Sequence, residues 1–321
     1  MRVHVNEAYD NKSNSALSRM RVLLKKIARK KALYILLIPG IFYFVLFDYV
    51  PMYGAIIAFK DFKPLDGILG SRWVGLQNFI DFFNHPSFSL VLSNTVIISF
   101  YKILFGFPAP IILALLLNEV KVSGFKRLVQ TVTYLPHFLS WVVITGLVSS
   151  VLSPSTGIVN ILLKSMNIKP IYFMADPKYF RAVLVITDIW KEVGWGSIIY
   201  LAAISGINQE LYEAAIIDGA GRWKRTVYIT LPSISSTIII MLILRVGSIM
   251  NAGFEQIFMM YNASVYDVSD VIDTFVYRMG LERRRYSFAT AVGLFKSIIG
   301  FTLIVITNKI SKRIDEDSGI W

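Results

Sequence analysis

The sequence of 321 residues contains no cysteine. Disulfide scaffolds, thiol catalysis and iron–sulfur clusters are therefore excluded. Only three histidines occur, His4, His85 and His137, and they lie far apart without cysteine partners, which argues against a zinc site. The dipeptide Gly-Lys is also absent, so the chain has no G-x-x-x-x-G-K-S/T loop for binding nucleotide phosphates.

Charged residues are scarce as well. They make up 17% of the chain, against about 25% in a typical soluble domain. In contrast, 55% of the residues are hydrophobic and the mean hydropathy is +0.57, which excludes a disordered chain. The net charge is +12, but a soluble nucleic-acid-binding protein does not need apolar runs of bilayer length, so no nucleic-acid partner is expected.

Long apolar segments are abundant. A helix needs about 20 mainly apolar residues to cross the roughly 30 Å hydrocarbon core of a bilayer. Six segments meet this length, at 32–50, 90–117, 129–152, 180–205, 232–251 and 287–308. Pro136 interrupts the third segment. Such an interruption is tolerated in a membrane where neighbouring helices cover the freed carbonyls. We therefore predict an all-α polytopic membrane protein with six transmembrane helices. Its membrane domain covers 32–308, between cytoplasmic tails at 1–31 and 309–321.

The placement of lysine and arginine predicts the orientation, because cytoplasmic loops carry an excess of both. With the N-terminus inside, 18 of the 33 basic residues lie in inner segments and 11 in outer loops. The prediction is therefore N-in and C-in, although Arg283, Arg284 and Arg285 oppose it. The 1–31 tail holds nine basic residues and can also contact anionic lipid. No A-x-A-like cleavage site follows the first apolar run, so that run is predicted to be an uncleaved helix.

The inner loop at 206–231 carries the most specific pattern. Asn208 is suited to cap a short helix. Two acidic residues, Glu210 and Glu213, are favourably placed in its first turn because they interact with the helix dipole. The run of Gly219, Ala220 and Gly221 then breaks the helix, since glycine tolerates a left-handed cap. A basic and aromatic segment follows at 222–228. The prediction is a helix–turn–helix projection into the cytoplasm. It contains no catalytic constellation, so it is suited to docking another protein.

The spacing of this loop resembles the EAA motif of ABC importer permeases. Every fixed position of EAA-x3-G-x9-I-x-LP is filled, by Glu213, Ala214, Ala215, Gly219, Ile229, Leu231 and Pro232. The stretches FGFPAP at 105–110, LNE at 117–119 and YLPHFLSW at 134–141 are similar to the LplB-type branch of the binding-protein-dependent sugar permeases.

This resemblance implies a MetI-like (type I) ABC importer permease fold and a multi-pass permease subunit in the bacterial cytoplasmic membrane. The implied solute is a carbohydrate, an oligosaccharide or a polysaccharide fragment, delivered by an extracellular or periplasmic binding protein. The implied partners are a second homologous permease, forming a heterodimer, and two ATPases that bind ATP and Mg²⁺. The chain itself is then no enzyme and holds no cofactor. The residues implied to contact the ATPase are Glu213, Ala214, Ala215, Asp218 and Gly219.

Polar and aromatic residues within the predicted spans are candidates for the substrate path, because charges in a membrane are costly unless they face protein or water. Aromatic faces and hydrogen-bonding side chains together suit a sugar. The predicted path residues are Trp190, Lys191, Trp195, Arg245, Asn251 and Glu255. For Lys191 the alternative is a local ion pair with Asp188 near the outer interface. For Arg245 it is a structural pair with an acidic residue elsewhere.

Three more residues in or near the spans have two interpretations each. Lys102 either snorkels to the interface or lines the path. Lys296 is expected to face the helix bundle, with a partner that the sequence does not identify. His137 follows Pro136 and is expected to bond local backbone groups, with ligand binding as the alternative.

Two outer loops also carry patterns. The 252–286 loop is either solvated, in contact with the binding protein, or inserted into the membrane, and it contains Asp267, Asp270, Asp273 and Arg278. In the 51–89 loop, Phe79, Phe82 and Phe83 recur at helical spacing and predict a short helix at the membrane interface.

Three other functions are alternatives to that of a sugar permease. A permease for a non-sugar solute would have the same loop and the same fold. An ion-coupled carrier would need an inverted repeat and buried acidic groups for ion coupling, and its EAA loop would be idle. An intramembrane enzyme would need a Ser/His pair, paired aspartates or an HExxH motif on a helix, none of which the sequence supplies.

Overall fold

The computed structural model describes residues 30–314, which are mainly helical. The helices of six or more residues are α1 Lys31–Phe44, α2 Gln77–Phe83, α3 Phe88–Gly106, α4 Pro108–Glu119, α5 Ser123–Tyr134, α6 Trp141–Val151, α7 Ile158–Ser165, α8 Pro177–Ser205, α9 Gln209–Ile217, α10 Ser235–Gly247, α11 Phe254–Met260, α12 Ile272–Tyr277 and α13 Tyr286–Ile314. Strands β1 Lys60–Asp61 and β2 Arg72–Trp73 form an antiparallel pair, with Lys60 opposite Trp73.

The described part of the chain divides into two compact units, with the boundary between positions 56 and 57. Helix α1 continues through a π-helical turn, Val45–Tyr49, a short α-helical turn, Val50–Met52, and a 3₁₀ segment, Tyr53–Phe59, in which that boundary lies. The resulting apolar helix, Lys31–Phe59, has 29 residues, so the predicted first span is helical and longer than expected. The predicted basic tail lies outside the described residues except for Lys30 and Lys31.

In the second unit, two predicted spans are continuous helices. Helices α3 and α4 join into one apolar helix, Phe88–Glu119, of 32 residues, and the last span is the helix Tyr286–Arg313, of 28 residues. Pro108 does not break the first of these, because it occupies the opening turn of α4, where a missing N–H costs no hydrogen bond. The last helix extends to Ile314 and so includes the first residues of the predicted cytoplasmic tail, 309–321.

The third and fifth predicted spans are bent. Residues Ser123–Phe138 and Trp141–Val151 meet at 109°, and Arg222–Ser233 meets Ser235–Gly247 at 63°. The interruption predicted at Pro136 is therefore a sharp bend, which lies between Phe138 and Trp141. The chain leaves helical geometry after Phe138, where a 3₁₀ turn that contains Pro136 ends, and Ser140 caps α6 in an extended conformation by accepting from the Val143 N–H at 3.4 Å. In the described part of the chain, three helices are long and apolar enough to cross a membrane, or up to five if each bent pair is one span.

The predicted fourth span is the 29-residue helix α8. At about 1.5 Å per residue it exceeds the thickness of a bilayer core. Asp188, Lys191 and Glu192 lie near its middle, so α8 is long enough to span but is interrupted by charge. The free-energy cost of placing α8 in a membrane therefore depends on what these three side chains contact.

Three apolar clusters hold the second unit together. One joins α3, α8 and the 252–271 region, and a second forms beneath α9 around Ala114, Tyr200 and Ile234. The third is aromatic and centres on Phe82, which is fully buried and contacts Phe88, Phe275, Phe288 and Phe295. The predicted interfacial helix is therefore α2, but Phe82 anchors it in the protein core rather than in lipid.

Candidate functional site

The predicted docking loop folds as two helical segments joined at glycine. Helix α9 begins after Asn208, whose Oδ1 accepts from the Glu210 N–H at 3.0 Å. It ends where the Ala220 N–H donates to the Ala215 carbonyl at 2.8 Å. That closure requires the left-handed conformation of Gly219, with φ of 75°, which residues with a Cβ rarely adopt. The short helix Arg222–Arg225 and a π-helical turn follow.

One side of this loop is anchored and the other is exposed. Tyr212 Oη lies 2.9 Å from Thr230 Oγ1, and Ile207 packs in the cluster beneath α9. On the exposed side of the loop, Ile217 is 85% exposed and Trp223 is 79% exposed. The five residues of the predicted ATPase contact lie on this projection, and Glu213, Ala214, Asp218 and Gly219 are exposed, with Ala215 half-buried. The loop can therefore present a small, mixed apolar and acidic surface to a partner.

A buried charge network crosses the helices at the level of Asp188. Lys102 Nζ on α3 lies 3.0 Å from Asp188 Oδ1, and Arg245 Nη2 on α10 lies 3.3 Å from Asp188 Oδ2. Lys102 also donates to the Gln256 Oε1 on α11, and Gln256 donates to the Leu184 carbonyl at 2.7 Å. Lys102 is only 4% exposed, so the expectation that it snorkels is wrong. Arg245 has the acidic partner that one interpretation predicted.

Lys191 does not pair with Asp188, so the predicted local ion pair is wrong. Its ammonium donates to the carbonyls of His137 at 2.7 Å and Leu139 at 2.6 Å, and to that of Pro136 at 3.4 Å. These carbonyls lie where the third span bends, outside regular α-helix, and that of Pro136 also accepts from the Leu139 N–H at 3.1 Å. Lys191 is 7% exposed. The structure therefore gives it a role in holding the bend, and does not place it on an open path.

Two of the predicted path residues line one cavity of about 190 Å³, together with Asp188 and Glu192. They are Trp195, which is half exposed, and Arg245. His137 stacks on Trp195 with ring centroids 4.6 Å apart, and its Nδ1 lies 3.0 Å from Glu192 Oε2. His137 thus contacts side chains rather than the local backbone that was expected. The cavity combines an indole, a carboxylate and a guanidinium, which suits hydroxyl-rich solutes.

The other predicted path residues lie elsewhere. Trp190 contributes to an apolar groove between α6 and α8. Asn251 lines a separate cavity near α12 and α13. Glu255 is exposed on α11 and lines neither the cavity of Trp195 nor that of Asn251. The six predicted residues are therefore not brought to one place.

The 252–286 loop is folded into the protein. Arg278 donates to both oxygens of Asp270, at 2.8 and 2.6 Å, and these bonds raise the pKa of the guanidinium, which further stabilises its charged form. Asp270 is 5% exposed, so a solvated loop was not the right alternative for this residue. Lys296, which was expected to face the bundle, pairs with Asp273 at 2.5 Å. Among residues 30–314, no group of three or more His, Asp or Glu could hold a metal ion.

Comparison with known proteins identifies the family. Residues 106–316 match the model of the binding-protein-dependent transport system inner membrane component. Protein LplB of Bacillus subtilis (strain 168) is 49% identical over 291 residues, which cover 91% of this chain and 92% of LplB. The polygalacturonan/rhamnogalacturonan transport system permease protein YteP of the same organism is 44% identical over 303 residues, covering 94% of each.

A solved structure agrees with the sequence relatives. It is the crystal structure of a bacterial alginate ABC transporter in complex with an alginate pentasaccharide-bound periplasmic protein. One of its chains matches with a TM-score of 0.83 and 43% identity, covering 90% of this chain and 97% of that one. The chain therefore belongs to the inner-membrane components of binding-protein-dependent transport systems, the permease subunits of ABC importers, as its EAA motif indicated.

Proposed function

We propose that this chain forms half of the membrane path of an ATP-driven importer for an oligosaccharide or polysaccharide fragment. The observation that carries the proposal is the docking loop, which is anchored to the helix bundle at Tyr212 and Ile207 and exposes Glu213 and Ile217. Such a projection can transmit the motion of a partner to the helices. The names of LplB-type relatives and the alginate transporter support a carbohydrate as the solute.

The motor in this proposal is a pair of separate ATPases. The sequence lacks a phosphate-binding loop, so ATP and Mg²⁺ would be bound by those subunits and this chain would have no ATPase site. Closure of the ATPases on ATP would move the docking loop and shift the helices between inward-facing and outward-facing states. A second homologous permease would complete the path. A solute-binding protein would deliver the sugar to the outer face of the bacterial cytoplasmic membrane, with the N- and C-termini inside.

The cavity of Trp195, Glu192 and Arg245 is the proposed path through this subunit. Its indole can stack on the C–H face of a sugar ring, as aromatic residues do in binding sites. The side chains of Glu192 and Arg245 can exchange hydrogen bonds with hydroxyl groups. Asp188 positions Arg245 by pairing with it, and Asp188 also pairs with Lys102.

The proposal is tested by reconstituting the chain in liposomes with its partner permease, ATPases and binding protein. We expect oligosaccharide uptake that requires ATP. Changing Gly219 to Ala should lower that uptake roughly five- to thirtyfold, because a left-handed residue with a Cβ costs about 1–2 kcal/mol. The matched control is Gly221→Ala. Gly221 has an ordinary φ of −67°, and a Cβ at either glycine meets no heavy atom within 4 Å.

Two results would contradict the proposal. One is sugar uptake by this chain alone on an ion gradient, which would indicate a secondary carrier. The other is equal uptake by the wild type and the Gly219 variant, which would mean that the shape of the loop does not matter for coupling.

A further inference from the structure

A second cavity, of about 620 Å³, lies between the segment after α10 and helices α12 and α13. Its volume falls in the range of about 300–1,000 Å³ that is usual for ligand sites. Its lining combines aromatic rings with hydrogen-bonding side chains: Asn251, Phe254, Asp273, Tyr277, Tyr286 and Lys296. Apart from Asn251, none of these residues was predicted to line the substrate path.

The aromatic part of this cavity is held in place by neighbouring rings. The Tyr277 ring centroid lies 4.7 Å from that of Phe258 and 5.6 Å from that of Phe254. Phe254 and Phe258 stack on each other at 5.2 Å. Tyr277 is half-buried, so part of its ring is open to the cavity. A ring that is already fixed loses little conformational entropy when a ligand stacks on it.

The polar part is an ion pair with spare hydrogen-bonding capacity. Lys296 Nζ lies 2.5 Å from Asp273 Oδ1, with 18% and 20% of the two side chains exposed. A carboxylate accepts about four hydrogen bonds and an ammonium donates three, so each group can bind more than its partner. The ammonium can donate to hydroxyl or carboxylate groups of a sugar, and the carboxylate can accept from its hydroxyl groups.

We propose that this cavity is a carbohydrate-binding site on the transport path, in which Tyr277 stacks on a sugar ring and Asn251, Asp273 and Lys296 bond its hydroxyls. This inference rests on the proposed function. Arg245 lies at the Trp195 cavity and Asn251 at this one, six positions later in the chain.

The test fills the cavity without removing one of the proposed contacts. Thr290 lines it and donates from Oγ1 only to the Tyr286 carbonyl, at 2.8 Å. Changing Thr290 to Phe should lower uptake of an alginate pentasaccharide and a galacturonate pentamer at least tenfold in the reconstituted importer. The matched control is Thr302→Phe on the same helix. Thr302 makes the same bond to Ile298 at 2.8 Å but is exposed, and uptake should be unchanged.

A second pair of variants separates stacking from structure. Tyr277→Phe keeps the ring and should retain uptake within about twofold, whereas Tyr277→Ala should lower it as much as the Thr290 variant does. Normal uptake by the Thr290→Phe importer, or an equal loss in the Thr302→Phe importer, would overturn the site while leaving the proposed function intact. Failure of the wild-type importer to take up either sugar would contradict the proposed function and the site with it.

Discussion

Replacing Asp188 by Asn should destabilise the membrane domain by about 3–5 kcal/mol, the usual cost of removing one partner from a buried ion pair. Asp188 binds Lys102 through one oxygen and Arg245 through the other. The substitution keeps the volume of the side chain and removes only its charge. It would leave the 4%-exposed Lys102 as an uncompensated buried cation. Thermal unfolding of the purified protein in lipid nanodiscs measures the loss.

A double variant tests whether charge is the cause. Changing Lys102 to Met together with Asp188→Asn removes the unpaired cation and should recover more than half of the lost stability. The exposed Asp267 provides the control, since Asp267→Asn should leave the melting temperature unchanged. A wild-type melting temperature for Asp188→Asn would show that the network is not a structural element.

Replacing Gly194 by Ala should cost at least about 3 kcal/mol, at the upper end of the range for overpacking. A Cβ at this position would lie 2.0 Å from the Thr133 carbonyl oxygen and 2.3 Å from its carbon. These are backbone atoms of α5, which cannot swing away as a side chain can. The two helices would have to separate, and the carbonyls that Lys191 binds lie just beyond this contact.

Gly293 provides the matched control for this prediction. It also lies within a long helix, α13, but a Cβ there meets no heavy atom within 4 Å. Gly293→Ala should therefore be neutral or stabilising by up to about 1 kcal/mol, because alanine is the better helix former. The melting temperatures of the two variants should move in opposite directions. A Gly194 variant that melts at or above the wild-type temperature would contradict the close contact.

The docking loop could be predicted from the sequence because its structure is local. Residues close by in the sequence determine the helix cap at Asn208, the helix break at Gly219 and the spacing to Pro232. The long apolar helices were predicted for the same reason, since length and composition alone decide them. The bend in the third span was underestimated. Pro136 was recognised as an interruption, but the size of the bend depends on what covers the freed carbonyls.

The two partners of Asp188 could not be identified from the sequence, because they lie far from it along the chain. Lys102 and Asp188 are 86 positions apart, and Asp188 and Arg245 are 57 apart. Helical spacing favoured the pair of Asp188 and Lys191, but the two side chains serve different neighbours. One signal could have assigned Lys191: a proline break inside an apolar segment leaves carbonyls that need donors, and a lysine in a nearby span can supply them.

The cavity around Tyr277 was missed for a related reason. Its residues come from the segment after α10 and from α11, α12 and α13, and the charges of the 252–286 stretch predict an outer loop. The prediction for that stretch rests on its charged residues and not on its aromatic ones, which include Phe254 and Tyr277. Their positions in the sequence do not indicate that they share a cavity with Lys296, which lies on the last helix.

Cross-linking at the tip of the docking loop is the most direct test of the central claim that a separate ATPase drives this subunit. The chain has no cysteine, so Ile217→Cys would introduce its only thiol, at a position that is 85% exposed. In the assembled importer, a short thiol-reactive cross-linker should join this residue to an ATPase subunit. Ile161→Cys on α7, which is 51% exposed and predicted to lie outside, should give no such product. An active importer in which Ile217→Cys gives no ATPase product, or no more than Ile161→Cys does, would contradict the account.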